Sequence, residues 1–345
     1  MDLPSETNVA NSITESAFVK AAICTRYGPP GVVEIREVPR PQPREDEVLI
    51  RIHAACVNSG DVRIRAAKVP PGMGIMVRVG VGFLRPRKPI LGIDLGGTVE
   101  AIGSKVTKFK PGDEVFAATG FGSGTHAEYV AMPEAGVIAP KPQSLTMAES
   151  ASLLFGGMTA VSFLKRDAKL QSGERVLING ASGAVGCSSI QFAKHLGAHV
   201  TAVCGMTNAD LVRSLGADDV IDYAKEDFTT NGQTYDVIMD NVGNALWARS
   251  KNSLTEHGRH LGVVSTLPGM IGAALKSNRN GKRVFAGIAD ASANTLAYLS
   301  SLVETGELKP VIDRTFAFND IVDAHAYVDQ GRKRGSVVID FGAEI

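Results

Sequence analysis

Arg175-Val176-Leu177-Ile178-Asn179-Gly180-Ala181-Ser182-Gly183-Ala184-Val185-Gly186, running on through Cys187 to Cys204, decides the fold. The first five residues read as a short buried strand. A glycine turn follows at once. Cys187 to Leu196 then has helical spacing, with Ile190, Phe192, Ala193 and Leu196 apolar and Gln191, Lys194 and His195 polar. Gly197 stops that helix, and His199 to Cys204 reads as the next strand. Such a strand–helix–strand unit lets the backbone at its first turn approach a pyrophosphate and aims a helix N-terminus at the negative charge. The spacing is G-x-x-G-x-x-G, with Ala181 where the usual fingerprint has its second glycine. The backbone of Ser182, Gly183, Ala184, Val185 and Gly186 would face the phosphates. A plain glycine-rich turn is the alternative, and a strand on each side weighs against it.

Outward from this unit the chain has two textures. Residues 1–16 are polar, carry Asp2, Glu6 and Glu15, and read as a flexible leader without the basic and apolar regions of a signal peptide. From Ala17 to about Pro140 short strands alternate with Pro and Gly turns: Phe18 to Ile23, Val33 to Val38, Glu47 to Ala54, Gly97 to Gly103 and Asp113 to Ala117. After Lys141-Pro142 helices enter. Thr146 and Glu149 have capping-box spacing before a helix to Phe155, and a second helix is expected over Met158 to Lys165. Further alternation follows: helix Asn208 to Leu215, strand Asp219 to Asp222, strand Tyr235 to Asp240, a helix near Ala245 to Leu254, and strand Gly258 to Val264. Strands alternating with helices imply a parallel sheet. The tail adds a helix over Ser292 to Thr305, a strand at Thr315 to Phe318, another helix and strand Val337 to Asp340. The expected division is a β-rich domain over 17–145 completed by 288–345, with a doubly wound α/β domain over 146–287.

The chain's 345 residues favour two domains, and 44% hydrophobic residues give a sizeable core. Basic and acidic residues balance at 36 each, with no basic run, so nucleic acid is not an expected partner. Cys24, Cys56, Cys187 and Cys204 are scattered without CxxC spacing, which suits a reducing, cytoplasmic setting. The apolar stretch Val69 to Leu84 is too broken by Gly, Pro and Arg78 to span a membrane.

Several strings together resemble the medium-chain dehydrogenase/reductase superfamily, and within it the zinc-free quinone oxidoreductase branch. They are Val57-Asn58-Ser59-Gly60-Asp61, Leu91-Gly92-Ile93-Asp94-Leu95-Gly96-Gly97-Thr98-Val99, Lys110 to Val115, Gly124 to Val130, Gly183 to Gly186, Leu308 to Asp313 and Gly331 to Val338. The resemblance runs from Ala17 onward. It implies a GroES-like β-rich catalytic domain, a Rossmann domain, and a homodimer joined through the Rossmann sheet edges. Zinc members have a Cys where this chain has Asn58 and a His where it has Ile93. Catalytic zinc needs three protein ligands and an open position, so no zinc is expected. His126 is the best lone ligand candidate, and a hydrogen-bonded structural histidine is its plainer role.

The residue that selects the cofactor should fall about 20 positions after the first turn glycine. That place holds Gly205-Met206-Thr207-Asn208, without a carboxylate to repel a 2′-phosphate. The resemblance implies that Thr207, Asn208 and Tyr223 meet that phosphate, and NADPH is favoured over NADH. Thr207 could instead cap the following helix with Asp210 in its first turn, and Arg213 could sit on a solvated helix face. The nicotinamide is expected beside Thr159, Asn241, the Val263-Val264-Ser265 strand end and Phe285-Ala286-Gly287. Without zinc the hydride acceptor must already be electrophilic: a quinone, or an enone or enal. Asn58 is the expected substrate-facing amide, and Asp61 either acts beside it or pins its loop. Arg63 stands where the family often has Tyr, which leaves the proton donor unassigned. The apolar segments 69–84 and 267–274 could flank the cleft, and the substrate would then be large and apolar. Two other readings are an enoyl-thioester reductase and an NADPH-binding protein without turnover.

Overall fold

The computed structural model describes residues 17–68, 81–83, 85–264, 281–287 and 289–342. The leader, Ser265, the segment 267–274 and all but 81–83 of the segment 69–84 lie outside the described residues.

In chain order, β1 (Phe18–Cys24) and β2 (Val33–Pro39) pair antiparallel, from Phe18 against Pro39 to Cys24 against Val33. β3 (Glu47–Cys56) is followed by the short helix α1 (Ser59–Arg65) and by β4 (Asp94–Ile102), β5 (Glu114–Ala118), β6 (Tyr129–Pro133) and β7 (Val137–Pro140). Val48, Ile50 and Ile52 of β3 pack on Leu95, Val99, Val115 and Ala117 in the core of this domain. On its other side α2 (Met147–Ala160) packs against β4 and β3. The capping box at its start is formed: Glu149 N–H donates to Thr146 Oγ1 at 3.2 Å, and Thr146 N–H donates to Glu149 Oε2 at 2.8 Å.

The expected break between two helices at Gly156-Gly157 does not occur. α2 runs through it and continues as a π-helical stretch, Val161–Asp167. The glycines serve close packing. A Cβ on Gly156 would lie 2.5 Å from the Ala184 carbonyl oxygen, and one on Gly157 would lie 2.9 Å from the Leu299 side chain. Together, Met147–Asp167 is long and apolar enough to cross a membrane, but 78% of its most apolar window is buried inside the fold, as in a core helix.

The nucleotide domain contains β8 (Arg175–Asn179), α3 (Ala184–His195), β9 (His199–Cys204), α4 (Ala209–Ser214), β10 (Asp219–Asp222), β11 (Tyr235–Asp240), α5 (Trp247–Ser250), β12 (Leu254–Gly262) and β13 (Arg283–Ala286). Its six strands are parallel in the order β10-β9-β8-β11-β12-β13. The order reverses between β8 and β11, and that crevice is where ligands bind in such sheets. Three boundaries differ from expectation. α3 begins at Ala184, three residues earlier than its apolar pattern, because Gly183 is its cap. The helix expected over 245–254 shrinks to α5, and β12 starts at Leu254. Leu254 is buried and pairs with Tyr235 ahead of a register shift.

Past β13, α6 (Ala293–Glu304) packs on β7 and α2 and buries Leu296, Leu299, Leu302 and Val303 in a core shared by the two domains. The chain then adds β14 (Ile312–Ala317), α7 (Ile321–Asp329) and β15 (Ser336–Asp340) to the β-rich domain. β15 sets Val338 opposite Cys56 and completes a seven-stranded sheet, β14-β15-β3-β4-β5-β7, with β6 also on β3.

Candidate active site

At the crevice, Gly180 leaves β8 with φ +74°, a conformation that favours glycine, and a Cβ there would meet Val242 Cγ2 at 2.6 Å. Gly183 caps α3 in extended conformation and has no side chain to occupy the first N–H groups. The first intrahelical bond runs from Cys187 N–H to the Gly183 carbonyl at 2.8 Å. The N–H groups of Ala184, Val185 and Gly186 therefore form the first turn, where an anion is favoured. The C-terminal segment closes over this turn: Gly335 N–H donates to the Ser182 carbonyl at 2.9 Å. Lys333 Nζ donates to the Gly335 carbonyl at 2.6 Å, between Cys56 and Cys187, and burial lowers its pKa. Lys333 is thereby tied, through Gly335, to the turn before α3, a link that the Gly331–Val338 string did not signal.

After β9, Asn208 Nδ2 donates to Ser182 Oγ at 3.0 Å, and its buried Oδ1 has no partner. Asn208, not Thr207, is the cap residue of α4, so the capping role weighed for Thr207 is not the one it has. Thr207 is exposed. Arg213 pairs with Asp210 on the solvated face, 3.6 Å away. Tyr223 is 69% exposed, and its hydroxyl lies 3.3 Å from where a Gly205 side chain would begin.

On the other side of the crevice, Asp240 organises the loop after β11. Its carboxylate accepts from Asn179 Nδ2 and from the N–H groups of Val242, Gly243 and Ala245, at 2.8 to 3.1 Å. Asn241 is held in that loop by its N–H to the Asn179 carbonyl, while both polar atoms of its side chain are buried without partners. Unmet amide groups at this strand edge fit a polar cofactor. Val263, Val264, Phe285, Ala286 and Gly287 are half-buried at the neighbouring strand ends, and a Cβ on Gly287 would meet nothing within 4 Å. Thr159 is buried, its hydroxyl spent on the Phe155 carbonyl at 2.6 Å.

Beneath the cleft, Asn58 opens α1, and Asp61 completes a capping box there. Asp61 Oδ2 accepts the Asn58 N–H at 2.7 Å, and its Oδ1 accepts the Gly92 N–H at 3.1 Å. Both oxygens are thus engaged with backbone, and Asp61 pins the loop. Asn58 Nδ2 donates to Asp94 Oδ2 at 2.8 Å. Asn58 and Asp94 are both buried, and Asp94 Oδ1 has no partner. Burial pushes the Asp94 carboxyl up to about 8; the Asn58 hydrogen bond opposes the shift, the Asp61 charge adds to it and the Phe155 N–H opposes it. Burial raises Asp61 as well, against the pull of His126 and its two backbone donors. His126 is fully buried and its Nε2 bonds the Cys56 carbonyl at 3.0 Å, the structural role weighed for it. Among the described residues no group of three His, Cys, Asp or Glu side chains is gathered to hold a metal ion.

Asp94 is the residue that sequence reasoning left out. It stood within a quoted string, and its sequence signal was only a lone acid in an apolar strand start. Its partnership with Asn58, 36 residues away, comes from tertiary folding.

Residues 44–143 match the family model described as the alcohol dehydrogenase GroES-like domain, and residues 215–339 match the one described as zinc-binding dehydrogenase. The chain is 32% identical over 369 residues to the mitochondrial NAD(P)H oxidoreductase RTN4IP1 of Bos taurus, an alignment covering 98% of this chain and 93% of that protein. It is 33% identical over 347 residues to the 2-methylene-furan-3-one reductase of Solanum lycopersicum, covering 96% and 81%. The solved quinone oxidoreductase from Coxiella burnetii superposes with a TM-score of 0.83 at 30% identity, over 94% of this chain and 100% of that one.

Proposed function

The chain belongs to the quinone oxidoreductase branch of the medium-chain dehydrogenase/reductase superfamily and is an NAD(P)H-dependent oxidoreductase; from that premise we propose that it uses NADPH to reduce a quinone or an α,β-unsaturated carbonyl, without zinc. One observation carries the reading. In the β-rich domain a buried amide and a buried carboxyl, Asn58 and Asp94, are bonded to each other. This pair can polarise a carbonyl that is already electrophilic, but it lacks the ligand set of a catalytic zinc.

When bound, the reduced nicotinamide supplies a hydride. The chain's residues hold and orient it. The first-turn N–H groups of α3 and the nearby Lys333 would hold the pyrophosphate, while Asn241 and the ends of β12 and β13 would hold the nicotinamide side. The second amide N–H of Asn58 points its polarity at the acceptor oxygen, and Asp61 fixes the loop that carries it. Thr207, Asn208 and Tyr223 surround the ribose end without a carboxylate, which supports NADPH over NADH.

A panel of quinones, enals, enones and enoyl thioesters tests this. We expect NADPH oxidation with a quinone or an enone, at higher kcat/KM than with NADH. A kcat/KM at least as high with NADH overturns the NADPH assignment. Turnover of enoyl thioesters alone overturns the substrate class, and turnover of none reduces the protein to a cofactor binder. The proposal extends to a cytoplasmic homodimer, for which β13 offers an edge strand of the six-stranded sheet. Light scattering at micromolar concentration that finds only a 36.3 kDa species rejects the dimer.

A further inference from the structure

Reduction of an enone or quinone consumes a proton as well as a hydride, and the position where a tyrosine donor was sought holds Arg63. We propose that Asp94 is the proton donor: a neutral carboxylic acid under the cleft floor whose Oδ1–H faces the same acceptor oxygen as the Asn58 amide.

The two buried carboxyls beside Asn58 are not equivalent. Asp61 accepts one backbone N–H on each oxygen, as a carboxylate does. Asp94 accepts on Oδ2 alone, and Oδ1 is buried without a partner. A charged oxygen left so would cost several kcal/mol, whereas an O–H there waits for an acceptor. Two adjacent buried carboxylates do not both ionise, and the proton goes to the one that has an oxygen without a hydrogen-bond partner, Asp94. No cation pairs with Asp94 among the described residues. Around it, burial and the Asp61 charge favour the neutral acid, and the Asn58 amide and Phe155 N–H favour the carboxylate. From α1 come Asp61 and the Asn58 amide; from β3 comes the Cys56 thiol, pushed well up by burial; from α2 comes the Phe155 N–H. Lys333 lies beyond Cys56, and His126 faces Asp61. Asp94 begins β4 directly after half-buried Ile93, and Phe155, whose N–H approaches its carboxyl, is also half-buried, so two partly exposed side chains adjoin the acid.

In the step, a carbon of the acceptor gains the hydride and its π electrons shift to the carbonyl oxygen. The Asp94 Oδ1–H bond breaks as an O–H bond forms on that oxygen. The enol leaves and the Asp94 carboxylate takes a proton back from solvent. In water the enol from an enone ketonises, and the product from a quinone loses a proton from the carbon that took the hydride while its second carbonyl oxygen gains one, giving the hydroquinone. One hydride and one solvent proton are consumed per turnover. Asn58 supplies the second hydrogen bond to the same oxygen, so the pair forms a neutral two-donor site for developing negative charge.

The assignment rests on the proposed reductase activity, and two measurements separate its failure from that of the activity. The first needs no substrate. Infrared spectroscopy at neutral pH should show the carbonyl stretch of a protonated buried carboxyl, absent from Asp94→Asn. A wild-type spectrum that does not differ from the variant at that band overturns the assignment, whatever the enzyme's activity. The second is kinetic. Asp94→Asn keeps an acceptor for Asn58 and a donor in place of Oδ1 but has no proton to give. On an enone its kcat should fall about 10²-fold. Wild-type kcat should decline as pH rises through about 8, with a solvent deuterium isotope effect, and the variant should lose both. A variant that retains the wild-type pH profile and isotope effect makes Asp94 a scaffold for Asn58 only. If wild type turns over no acceptor, the activity and this assignment fall together. If Asp94→Asn does not fold, the infrared titration of wild type alone decides: the band must disappear on raising the pH through about 8, and its absence at neutral pH refutes the proposal.

Discussion

Gly183→Val separates the cofactor site from the fold. A Cβ on Gly183 would have one neighbour, the Gly180 carbonyl oxygen at an ordinary 3.6 Å. The backbone there, φ −78° and ψ 172°, is extended and open to any residue. The structural cost is therefore the exchange of a favourable cap for a poor one, about 1 kcal/mol. That corresponds to a fall in melting temperature of about 2–4 °C. Binding is different. The added methyl groups project over the first turn of α3, between its N–H groups and the place a diphosphate must reach. Losing two charge-assisted hydrogen bonds at about 1.5–3 kcal/mol each weakens NADPH binding by about 10²- to 10⁴-fold. Thermal circular dichroism reads the first effect, and titration of NADPH fluorescence reads the second. A folded variant whose Kd rises by less than about threefold, under 1 kcal/mol, would refute the reasoning and move the phosphate elsewhere.

Gly186→Ala should behave in the opposite way, because its Cβ would meet the Gly180 carbonyl oxygen at 2.3 Å and Ala181 backbone at 2.5 Å. We expect a loss of about 1–3 kcal/mol of stability in urea denaturation, and wild-type stability would contradict it. Asn58→Ala should lower kcat about tenfold with NADPH affinity nearly intact, and Asn58→Asp should be worse, since a third carboxyl would crowd Asp61 and Asp94. Full kcat for Asn58→Ala on every substrate would leave Asn58 as a loop cap only. The stability of wild type relative to Asp94→Asn should fall as pH rises. A carboxyl raised from 3.8 to about 8 in the folded state holds its proton there while the unfolded chain has lost it. Its stabilising contribution is whole below 3.8 and is lost up to about 8, at a slope of no more than about 1.4 kcal/mol per pH unit. Urea midpoints of the two proteins that run parallel with pH would show that Asp94 is charged in both states.

Local pattern made much of this molecule legible. The alternation through β8, α3 and β9 and the capping box at Thr146 are short-range signals, and they placed the crevice. Gly156-Gly157 misled because glycine in a helix signals either a break or a close contact, and only the packed partners, Ala184 and Leu299, decide which. Residues Leu254 to Glu256 join β12 because Leu254 is needed beneath Tyr235, a pairing invisible in the local string. At the site, the phosphate turn could be read from glycine spacing and the Asn58 loop from its string. The Asp94 partnership and the approach of Lys333 to the phosphate turn could not. Both join residues that are remote in sequence, and a lone charged residue gives no sign of where it will be buried.

The central claim is that neutral donors and a bound nicotinamide suffice for the reaction. Dialysing the protein against a strong chelator and then following NADPH oxidation by a quinone and an enone tests it most directly. The account predicts undiminished kcat after dialysis. Activity lost on chelation and restored by stoichiometric zinc would contradict it.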